Sequence, residues 1–263
     1  KKGGEVQKTY LMIYRNAQRI LRLINQLMDI RKLDKGQMFM KFRETDMVGF
    51  IDDVMLTFDY MARKKKIHFS FEHAMPQLKV WVDMNNFDKI LMNIFSNAFK
   101  YTPEQGEITV SLSTGRDATR RDPLKEYFEI TVTDSGIGLD REKIERIFER
   151  FYQIDNDVTK SNFGTGIGLH LSRSLVELHH GIIFAENRED APGSRFVIRI
   201  PLGSAHLRTD ELEDVEVAAT PHAVFVKPEK PDFEETFGEE GAEEKKAGKS
   251  KSRLRILIAE DEE

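Results

Sequence analysis

Cysteine is absent from this sequence of 263 residues, and tryptophan occurs once. A chain without cysteine forms no disulfide bonds and no thiolate-ligated metal sites, which fits a reducing compartment without requiring one. Long apolar runs are missing as well: no stretch approaches the roughly 18 residues of a membrane span, and we expect no signal peptide at the start of the sequence. With 40% hydrophobic and 32% charged residues, the composition is that of a globular chain, and we expect no membrane contact from it.

The net charge of −5 is spread unevenly along the chain. Residues 204–252 hold 13 acidic and 7 basic residues, residues 253–263 hold four acidic and two basic ones, and residues 1–203 are therefore net positive by 3. The acidity belongs to the tail and does not describe the partners of the body. One basic cluster, Arg63–Lys66, ends a predicted helix without aromatic residues or a second basic face nearby. We interpret it as a complement to the helix dipole and expect no nucleic-acid partner.

Residues 5–33 are predicted to form one long helix that ends at Gly36. Its apolar side chains recur at helical spacing on one face, flanked by arginines; they are Ile13, Ala17, Ile20, Ile24 and Leu27. At 1.5 Å per residue, a helix of about 28 residues makes a rod of roughly 42 Å. Such a rod cannot bury its apolar stripe alone. We therefore expect this helix to pair with a second copy or to fold onto the rest of the chain.

The remaining periodicities predict an α+β fold. They indicate strands at 38–43, 67–72, 78–82, 107–113, 127–134, 182–186 and 195–201, and helices at 46–61, 86–103, 140–151 and 164–180. Asp46 is expected to cap the first of these helices and Gly181 to end the last. Antiparallel strands with helices on one face make a two-layer α/β sandwich. Beyond about residue 210 the composition is that of a flexible linker, and residues 253–263 read as the start of another strand.

Two asparagines on the predicted helix 86–103 stand beside its apolar stripe. Asn93 and Asn97 are four residues apart and share one face, with Lys100 and Tyr101 one turn further on. From the helix alone, a solvated polar face and a magnesium–nucleotide site explain this pattern equally well. Mg²⁺ takes oxygen ligands, and a neutral asparagine supplies one without adding a second negative charge beside a triphosphate. Lys100 offers a charge to phosphate, and Tyr101 offers an aromatic face or a hydroxyl.

Two glycine-rich segments follow. Residues 134–138 (Asp-Ser-Gly-Ile-Gly) lie at a strand exit, where the Asp134 carboxylate can accept a hydrogen bond from an exocyclic amine such as that of adenine. Residues 164–169 (Gly-Thr-Gly-Ile-Gly-Leu) open a helix, whose N–H groups and dipole suit phosphate. The glycines are expected to leave room for a ligand that comes close to the backbone. The second segment lacks a Walker lysine and a ribose-binding acid. Each segment is ambiguous alone, but together with the asparagine pair they indicate a nucleotide site.

In these segments the sequence resembles the catalytic domain of bacterial sensor histidine kinases, part of the ATPase superfamily that includes DNA gyrase and mismatch-repair ATPases. The resemblance covers roughly residues 5–203 and rests on NIFSNAFKYT, DSGIGL, GTGIGLHL and IFERFYQ. It implies ATP and Mg²⁺ as cofactors, Mg²⁺ on Asn97, adenine on Asp134, and transfer of the γ-phosphoryl group to a histidine. The implied nucleotide-binding residues are Asn93, Asn97, Lys100, Tyr101, Asp134, Gly136, Ile137, Gly138, Lys160, Gly164, Thr165, Gly166, Ile167, Gly168 and Leu169.

Phe148 and Phe151 flank an arginine ahead of the second glycine segment. Phenylalanines three residues apart usually belong to the core, and both rings are expected there. Arg150 is different, because an arginine beside a lid can reach the terminal phosphate, and the family's phenylalanine box supports this role. Arg150 and Lys100 are therefore the predicted catalytic residues. The polar residues 153–163 are expected to form the lid, in which Lys160 either contacts phosphate or is merely solvated.

The sequence departs from the family at the phosphoacceptor histidine. None of its seven histidines is followed by the acid and the Arg-Thr-Pro of the family's acceptor helix. Helix 5–33 resembles the second helix of the dimerisation and phosphotransfer hairpin, so we expect the acceptor helix upstream of Lys1. The adjacent His179 and His180 are interpreted as a helix end rather than as a zinc site.

Residues 253–263 resemble the first strand of a response-regulator receiver domain, with Glu260 and Asp261 matching its acidic Mg²⁺-binding pair. The implied organisation is that of a hybrid sensor kinase, with a partial phosphotransfer domain at 1–35, an ATP-binding domain at 36–203, an acidic linker at 204–252 and the start of a receiver at 253–263.

The resemblance also implies partners and a location. The partners are ATP, a second copy bound through the long helix of the intact protein, and the receiver in cis. The location is the cytoplasmic portion of a membrane-anchored receptor. Two alternatives stay open: a nucleotide-gated interaction module without transfer activity, and a serine kinase of the anti-sigma type, which shares the three boxes but begins without a long helix.

Overall fold

The computed structural model describes residues 2–121, 123–153 and 165–213. In chain order, the helices and strands of these ranges are α1 (Lys2–Asp34), β1 (Arg43–Asp46), α2 (Met47–Leu56), α3 (Asp59–Lys65), β2 (His68–His73), β3 (Lys79–Val82), α4 (Met84–Tyr101), β4 (Glu107–Arg116), β5 (Glu126–Asp134), α5 (Gly168–Leu178), β6 (Ile182–Asn187) and β7 (Ser194–Pro201). Single turns of 3₁₀ helix occur at Pro123–Lys125, Glu145–Phe148 and Thr209–Glu211. Several predicted features lie outside the described residues: the lid at 153–163 beyond its first residue, with Lys160, then Gly164, and the chain beyond residue 213, with Glu260 and Asp261.

The main sheet has five strands in the order β2-β4-β5-β7-β6. Neighbouring strands are antiparallel except β2, which runs parallel to β4 because helix α4 crosses over between them. Strands β1 and β3 form a separate antiparallel pair. The predicted α+β two-layer fold is confirmed, and the expectation that its strands are all antiparallel is wrong at β2.

One face of the sheet carries the core. Side chains alternate along the strands, so that Ile108 and Val110 of β4 are buried while Thr109 between them is partly exposed. Helices α4 and α5 cover the apolar face, and the predicted stripe of α4 is buried as expected; it consists of Ile90, Leu91, Ile94, Phe95 and Ala98. Burying a side chain of the larger kind contributes roughly 1.5–3 kcal/mol. This packing fixes α4 and α5, and with them the polar residues on their edges.

The strand predicted at 38–43 is wrong, because β1 begins only at Arg43, where it pairs with β3. Met40 and Phe42 are buried, at 4% and 0% exposure, and this burial produced the alternating pattern. Phe42 bridges to Leu212 of the tail instead of joining a strand. The alternating pattern in this segment therefore indicates which side chains are buried. It does not indicate that the backbone is hydrogen-bonded to a neighbouring strand.

The helix predicted at 46–61 is interrupted near its middle. Asp46 caps α2 as predicted, since its carboxylate accepts a backbone N–H of the first turn at 3.3 Å. The helix ends at Leu56, and two residues later the Phe58 ring stacks on Phe99 with centroids 5.3 Å apart. Because the helix is interrupted here, the Phe58 side chain packs in the aromatic part of the core before α3 begins.

Two further helix predictions are longer than the observed elements. The helix predicted at 140–151 is reduced to the 3₁₀ turn Glu145–Phe148. The helix predicted at 164–180 is α5, which begins at Gly168 and ends at Leu178. The left-handed residue after it is His180, with φ at 59°, rather than Gly181.

Helix α1 covers Lys2–Asp34, and Gly36 ends it as predicted. Its last turns contact the body: Lys89 Nζ lies 2.8 Å from the Asp29 carboxylate, and Ile30 is only 7% exposed. The stripe nearer the N-terminus is uncovered, with exposures of 61% at Ile13, 56% at Ile20, 49% at Ile24 and 47% at Leu27. The expectation that α1 folds onto the body is therefore met at its C-terminal end, while the apolar stripe stays open to a partner.

Residues 204–213, predicted as the beginning of the linker, return to the body. The Phe42 N–H donates to the Glu211 carbonyl at 2.7 Å, and the Glu213 N–H donates to the Phe42 carbonyl at 2.8 Å. The rings of His206 and His180 lie 5.3 Å apart. The packed body thus extends to the end of the described residues.

Candidate nucleotide site

Helix α4 is anchored at both ends. At its N-terminus, Asp83 caps the helix by accepting the Asn86 N–H at 3.1 Å. At its C-terminus, Lys65 Nζ donates to the carbonyls of Phe99 at 2.6 Å and Thr102 at 3.1 Å. A cation at this position satisfies carbonyls that have no partner within the helix and complements the helix dipole. The basic cluster at the end of α3 therefore complements a second helix as well, which its sequence did not reveal.

The first asparagine of the predicted pair joins α4 to α5. Asn93 Nδ2 donates to the Ser172 hydroxyl at 2.9 Å. A Cβ atom added at Gly168 would lie 2.2 Å from Asn93 Oδ1, so a larger residue there would displace the Asn93 side chain from its contact with α5. The sequence predicts that this glycine leaves room for a ligand. The structure adds a second role, because the glycine also allows the Asn93 side chain of α4 to pack closely against α5.

The N-terminus of α5 lies beside this contact and has no side-chain cap. Ile167 precedes the helix without a capping hydrogen bond, and no acidic residue occupies the first turn. Thr165 stabilises the approach, with its hydroxyl accepting the Ile167 N–H at 3.3 Å, while Ile167 itself is buried and Leu169 packs on the core. Uncapped N–H groups at the positive end of a helix dipole suit an anion.

Asp134 lies at the exit of β5 and is only 3% exposed. Its Oδ1 accepts the Gly136 N–H at 2.8 Å and the Ser194 N–H at 3.4 Å, and its Oδ2 accepts the Ser194 hydroxyl. A carboxylate has about four acceptor positions, so three of them are used by the protein and about one remains for a ligand amine. Ser194 was not identified from the sequence, although it begins a strand directly after a glycine.

The loop after Asp134 lies against the end of α4. A Cβ atom at Gly136 would come within 2.6 Å of the Tyr101 carbonyl, so this glycine is required for the contact. Asn187 fixes the far side of the loop, because its amide accepts the Leu139 N–H at 2.6 Å and donates to the Leu139 carbonyl at 2.7 Å. Asn187 is a second residue that sequence analysis missed. Of the loop's other predicted residues, Ile137 is 55% exposed, and Gly138 has a φ of +73°.

Three residues on successive turns of α4 connect these two regions. Asn93 contacts the start of α5, Tyr101 contacts the loop after Asp134, and Asn97 lies between them on the same helix face. Eight residues of helix place the two contacts roughly 12 Å apart along α4. Lys100 also lies on this part of α4, with Nζ 4.9 Å from the Tyr101 ring centroid.

Arg150 is brought to the end of α1. Its Nη1 donates to Asp34 Oδ2 at 2.9 Å, Nη2 donates to Asp34 Oδ1, and Nε donates to His170 Nε2 at 2.8 Å. The hydrogen bonds lower the pKa of Asp34 and raise that of Arg150. Both groups are exposed, so the pair is partly screened by solvent. The predicted phosphate donor is thus engaged by a carboxylate in this structure.

The two phenylalanines beside Arg150 have different environments. Phe148 is 2% exposed, as expected of a core residue, and the Arg173 guanidinium lies 4.1 Å from its ring centroid. Phe151 is 63% exposed, so its assignment to the core is wrong. Its backbone is left-handed, with φ at 61°, and its N–H donates to the Gly166 carbonyl at 2.9 Å, a geometry that turns the ring outward.

His179 occupies the helix end predicted for it, but it is a buried structural group. Its Nδ1–H donates to the Leu175 carbonyl at 2.7 Å, and its Nε2 accepts the Asp83 N–H at 3.1 Å. Burial lowers the pKa of His179 to about 4. The ring therefore stays neutral near pH 7 and ties the C-terminus of α5 to the residue that caps α4.

Comparison with known proteins identifies the family of the domain that carries this candidate site. Residues 82–204 match the family described as histidine kinase-, DNA gyrase B- and HSP90-like ATPases. Histidine kinase P4 of Formosa agariphila is 34% identical over 215 residues, which are 81% of this chain and 15% of that protein. The solved catalytic domain of the histidine kinase ThkA is 30% identical with a TM-score of 0.52, over 62% of this chain and 97% of that domain. ThkA in complex with the response regulator protein TrrA is 26% identical with a TM-score of 0.56, over 71% of this chain and 49% of that one.

The fold and the matched segments define an ATP-binding ATPase domain. This chain belongs to the histidine kinase family. The resemblance stated from the sequence is thereby confirmed at the level of family and domain. Within the described residues, no helix combines the length and the apolarity needed to cross a membrane.

Proposed function

We propose that this chain binds Mg·ATP and transfers the γ-phosphoryl group to a histidine of a sensor histidine kinase, for relay to an aspartate of a receiver domain. The observation that carries the proposal is the row Asn93, Asn97 and Tyr101. It joins the uncapped start of α5 to the loop that follows the buried Asp134, over roughly 12 Å of helix.

Adenine recognition is assigned to Asp134. Its remaining acceptor position suits the exocyclic amine of adenine, and its burial strengthens a hydrogen bond made there. Guanine presents a carbonyl oxygen at the corresponding ring position, and a carboxylate repels it. Gly136, Ile137 and Gly138 bring the loop backbone to the same end of the nucleotide.

Phosphate binding is assigned to the other end of the row. The N–H groups in the first turn of α5 and the amine of Lys100 are the donors assigned to it. Lys160 and Gly164, which lie outside the described residues, are assigned to the phosphates from the sequence motif alone. Within the described residues, no three His, Asp or Glu side chains converge on a possible metal position. A magnesium ion would be held by Asn97 together with phosphate oxygens and water, as Mg²⁺ commonly is beside a nucleotide, and it would neutralise charge on the phosphates. Asn93, whose amide is engaged by Ser172, positions the two helices around it.

Phosphoryl transfer requires mostly positioning and charge neutralisation from the protein. The bond between the γ-phosphorus and its bridging oxygen breaks, a bond to an imidazole nitrogen forms, and ADP leaves. We assign Lys100 and Arg150 to stabilise the negative charge of the phosphoryl group during transfer. Arg150 must first be released from Asp34 to do so.

The acceptor and the partners come from the intact protein. The exposed stripe of α1 supports a homodimer that forms a four-helix bundle, where the acceptor histidine belongs. The complex of ThkA with a response regulator supports a receiver as the next partner. The segment 253–263 suggests that this receiver lies in cis, as in a hybrid kinase in the cytoplasmic portion of a membrane-anchored receptor.

The test mixes this chain with the dimerisation domain of the parent protein, Mg²⁺ and ATP labelled at the γ-phosphate. We expect label on the dimerisation domain that acid removes, because phosphohistidine is acid-labile. Acid-stable label would indicate a serine kinase. ATP binding by calorimetry without any transfer would indicate a nucleotide-gated interaction module. Asn97→Ala serves as the control, which should transfer less label than the wild type at an ATP concentration near the wild-type dissociation constant.

A further inference from the structure

The cluster of Asp34, Arg150 and His170 joins three separate elements. Asp34 is the last residue of α1, Arg150 follows the 3₁₀ turn Glu145–Phe148, and His170 lies in the first turn of α5. Arg150 uses Nη1, Nη2 and Nε to bond the other two side chains. The end of the long helix is therefore tied to the end of α5 that carries the uncapped N–H groups.

The position of Asp34 argues that its pairing is more than incidental. The C-terminus of a helix favours cations, and Arg31 and Lys32 follow this preference in the last turn of α1. Asp34 is an acid at the same helix end, where the dipole disfavours it unless a cation compensates. Arg150 is that cation, and the bidentate geometry uses both carboxylate oxygens.

The proton positions of the cluster are also fixed. Arg150 Nε can only donate, so His170 Nε2 is the acceptor, and His170 Nδ1 carries the hydrogen that it donates to the Phe148 carbonyl at 3.2 Å. The guanidinium is thereby held in one plane by two partners. It cannot present the same fork to a phosphate without leaving Asp34.

We propose that Asp34 is a positioning residue that competes with the γ-phosphate of ATP for Arg150. Carboxylate and phosphate both accept the guanidinium fork in a bidentate manner, so one occupies it at a time. ATP then releases the end of α1, whereas ADP, which lacks the γ-phosphate, leaves the cluster intact. The inference rests on the proposed role of Arg150 as a phosphate donor, and it gives α1 a contact that reports which nucleotide is bound.

The chain offers a matched control for this competition. Asp29 forms the other described ion pair between α1 and the body, with Lys89 of α4 at 2.8 Å. Asp29→Asn weakens the attachment of α1 as Asp34→Asn does, but it leaves Arg150 paired. An effect on nucleotide binding that arises only from loosening α1 appears in both variants, and an effect that arises from freeing Arg150 appears only in Asp34→Asn.

The experiment measures Mg·ATP and Mg·ADP affinities of this chain by calorimetry. We expect Asp34→Asn to bind ATP about two- to fivefold more tightly, the size of effect an exposed ion pair can exert, with unchanged ADP affinity. Asp34→Glu, which restores the carboxylate, should return ATP affinity toward the wild-type value, and Asp29→Asn should match the wild type. In an Arg150→Ala background, Asp34→Asn should leave the ATP affinity unchanged, because the guanidinium for which Asp34 and the phosphate compete is then absent.

Three outcomes would overturn the inference. Equal ATP affinities for the wild type and Asp34→Asn would show that Arg150 is not withheld. Parallel changes for ATP and ADP, or the same change in Asp29→Asn, would assign the effect to the attachment of α1. A wild-type chain that binds neither nucleotide would refute the proposed function together with the inference, whereas the first two outcomes leave ATP binding standing.

Discussion

We expect the free energy of unfolding to fall as the pH drops from 6.5 to about 4, because His179 must then take up a proton on unfolding. Its folded pKa is about 4, whereas the ordinary value is 6.5. Between these values the unfolded chain binds more protons than the folded one, so stability rises with pH. The contribution is complete above pH 6.5 and is lost as the pH falls to 4. The difference corresponds to about 3 kcal/mol.

The measurement is urea denaturation at several pH values, followed through the fluorescence of Trp81, the only tryptophan in the sequence. His179→Gln keeps an N–H donor and an acceptor but does not titrate. It loses the ring contacts with Phe42 and Phe87, whose centroids lie 5.3 Å away, so it should be less stable at pH 7. Its stability should also fall less steeply with acid than that of the wild type. His68→Gln, at an exposed position, is the matched control and should follow the wild-type slope.

Carboxylates also titrate in this pH range, so the wild-type slope alone does not isolate His179. The difference between the wild-type and His179→Gln curves does isolate it, because the carboxylates are common to both chains. Parallel curves between pH 6.5 and 4 would refute the reasoning. If His68→Gln removed the dependence of stability on pH, the effect would belong to His68 and not to His179.

The remaining predictions concern the site and its support. Asn97→Ala should weaken ATP binding about tenfold or more in the presence of Mg²⁺ while leaving the melting temperature unchanged, and equal affinity in calorimetry would remove the metal assignment. Asp134→Asn should reduce the preference for ATP over GTP, because an amide donates as well as accepts; retained selectivity in competition binding would contradict the adenine role. Lys65→Met should lower the free energy of unfolding by about 1 kcal/mol, since the last carbonyls of α4 lose a half-buried cationic donor, and an unchanged urea midpoint would contradict this.

The parts of the fold that sequence analysis predicted depend on contacts between near neighbours. The stripe of α4 and the alternation of β4 repeat within a single element, so a local pattern was enough to place them. Residues 38–43 have the same kind of alternation, but their backbone partner is Leu212, far along the chain. The break after α2 is followed at once by the stacking of Phe58 on Phe99, a contact between residues far apart in the sequence. Neither partner is visible in the local sequence, and both predictions failed there.

The candidate site divides in the same way. Asp134 and Asn97 lie in short motifs whose residue types suggest their chemistry. The residues that hold the motif in place act over long separations: Ser194 lies 60 residues from Asp134, and Asn187 lies 48 residues from Leu139. Arg150 was predicted as a phosphate donor from its neighbours in sequence, and its carboxylate partner Asp34 lies 116 residues away. A motif therefore indicates which residues meet a ligand, and the fold decides what else competes for them.

The energetics of α1 lead to a prediction about assembly. Its attachment to the body includes an exposed ion pair at Asp34, a partly buried ion pair at Asp29 and the burial of Ile30 in its last turns. The exposed pair is weak, because solvent screens it. The exposed stripe of α1 holds four large apolar side chains, each worth roughly 1.5–3 kcal/mol when fully buried. Pairing the stripe is therefore favourable by several kcal/mol.

This balance favours a dimer in which pairing of the stripes fixes the orientation of α1. The ATPase body is then held to α1 by the weaker contacts at the end of the helix. We expect light scattering at micromolar concentration to show this chain as a dimer and a chain beginning at Lys35 as a monomer. Arginines beside the stripe discourage indiscriminate aggregation, so a defined dimer is expected rather than a broad size distribution. If both chains are monomers, and the amide hydrogens of residues 13–27 exchange as fast as those of a free peptide, the stripe is not a pairing surface.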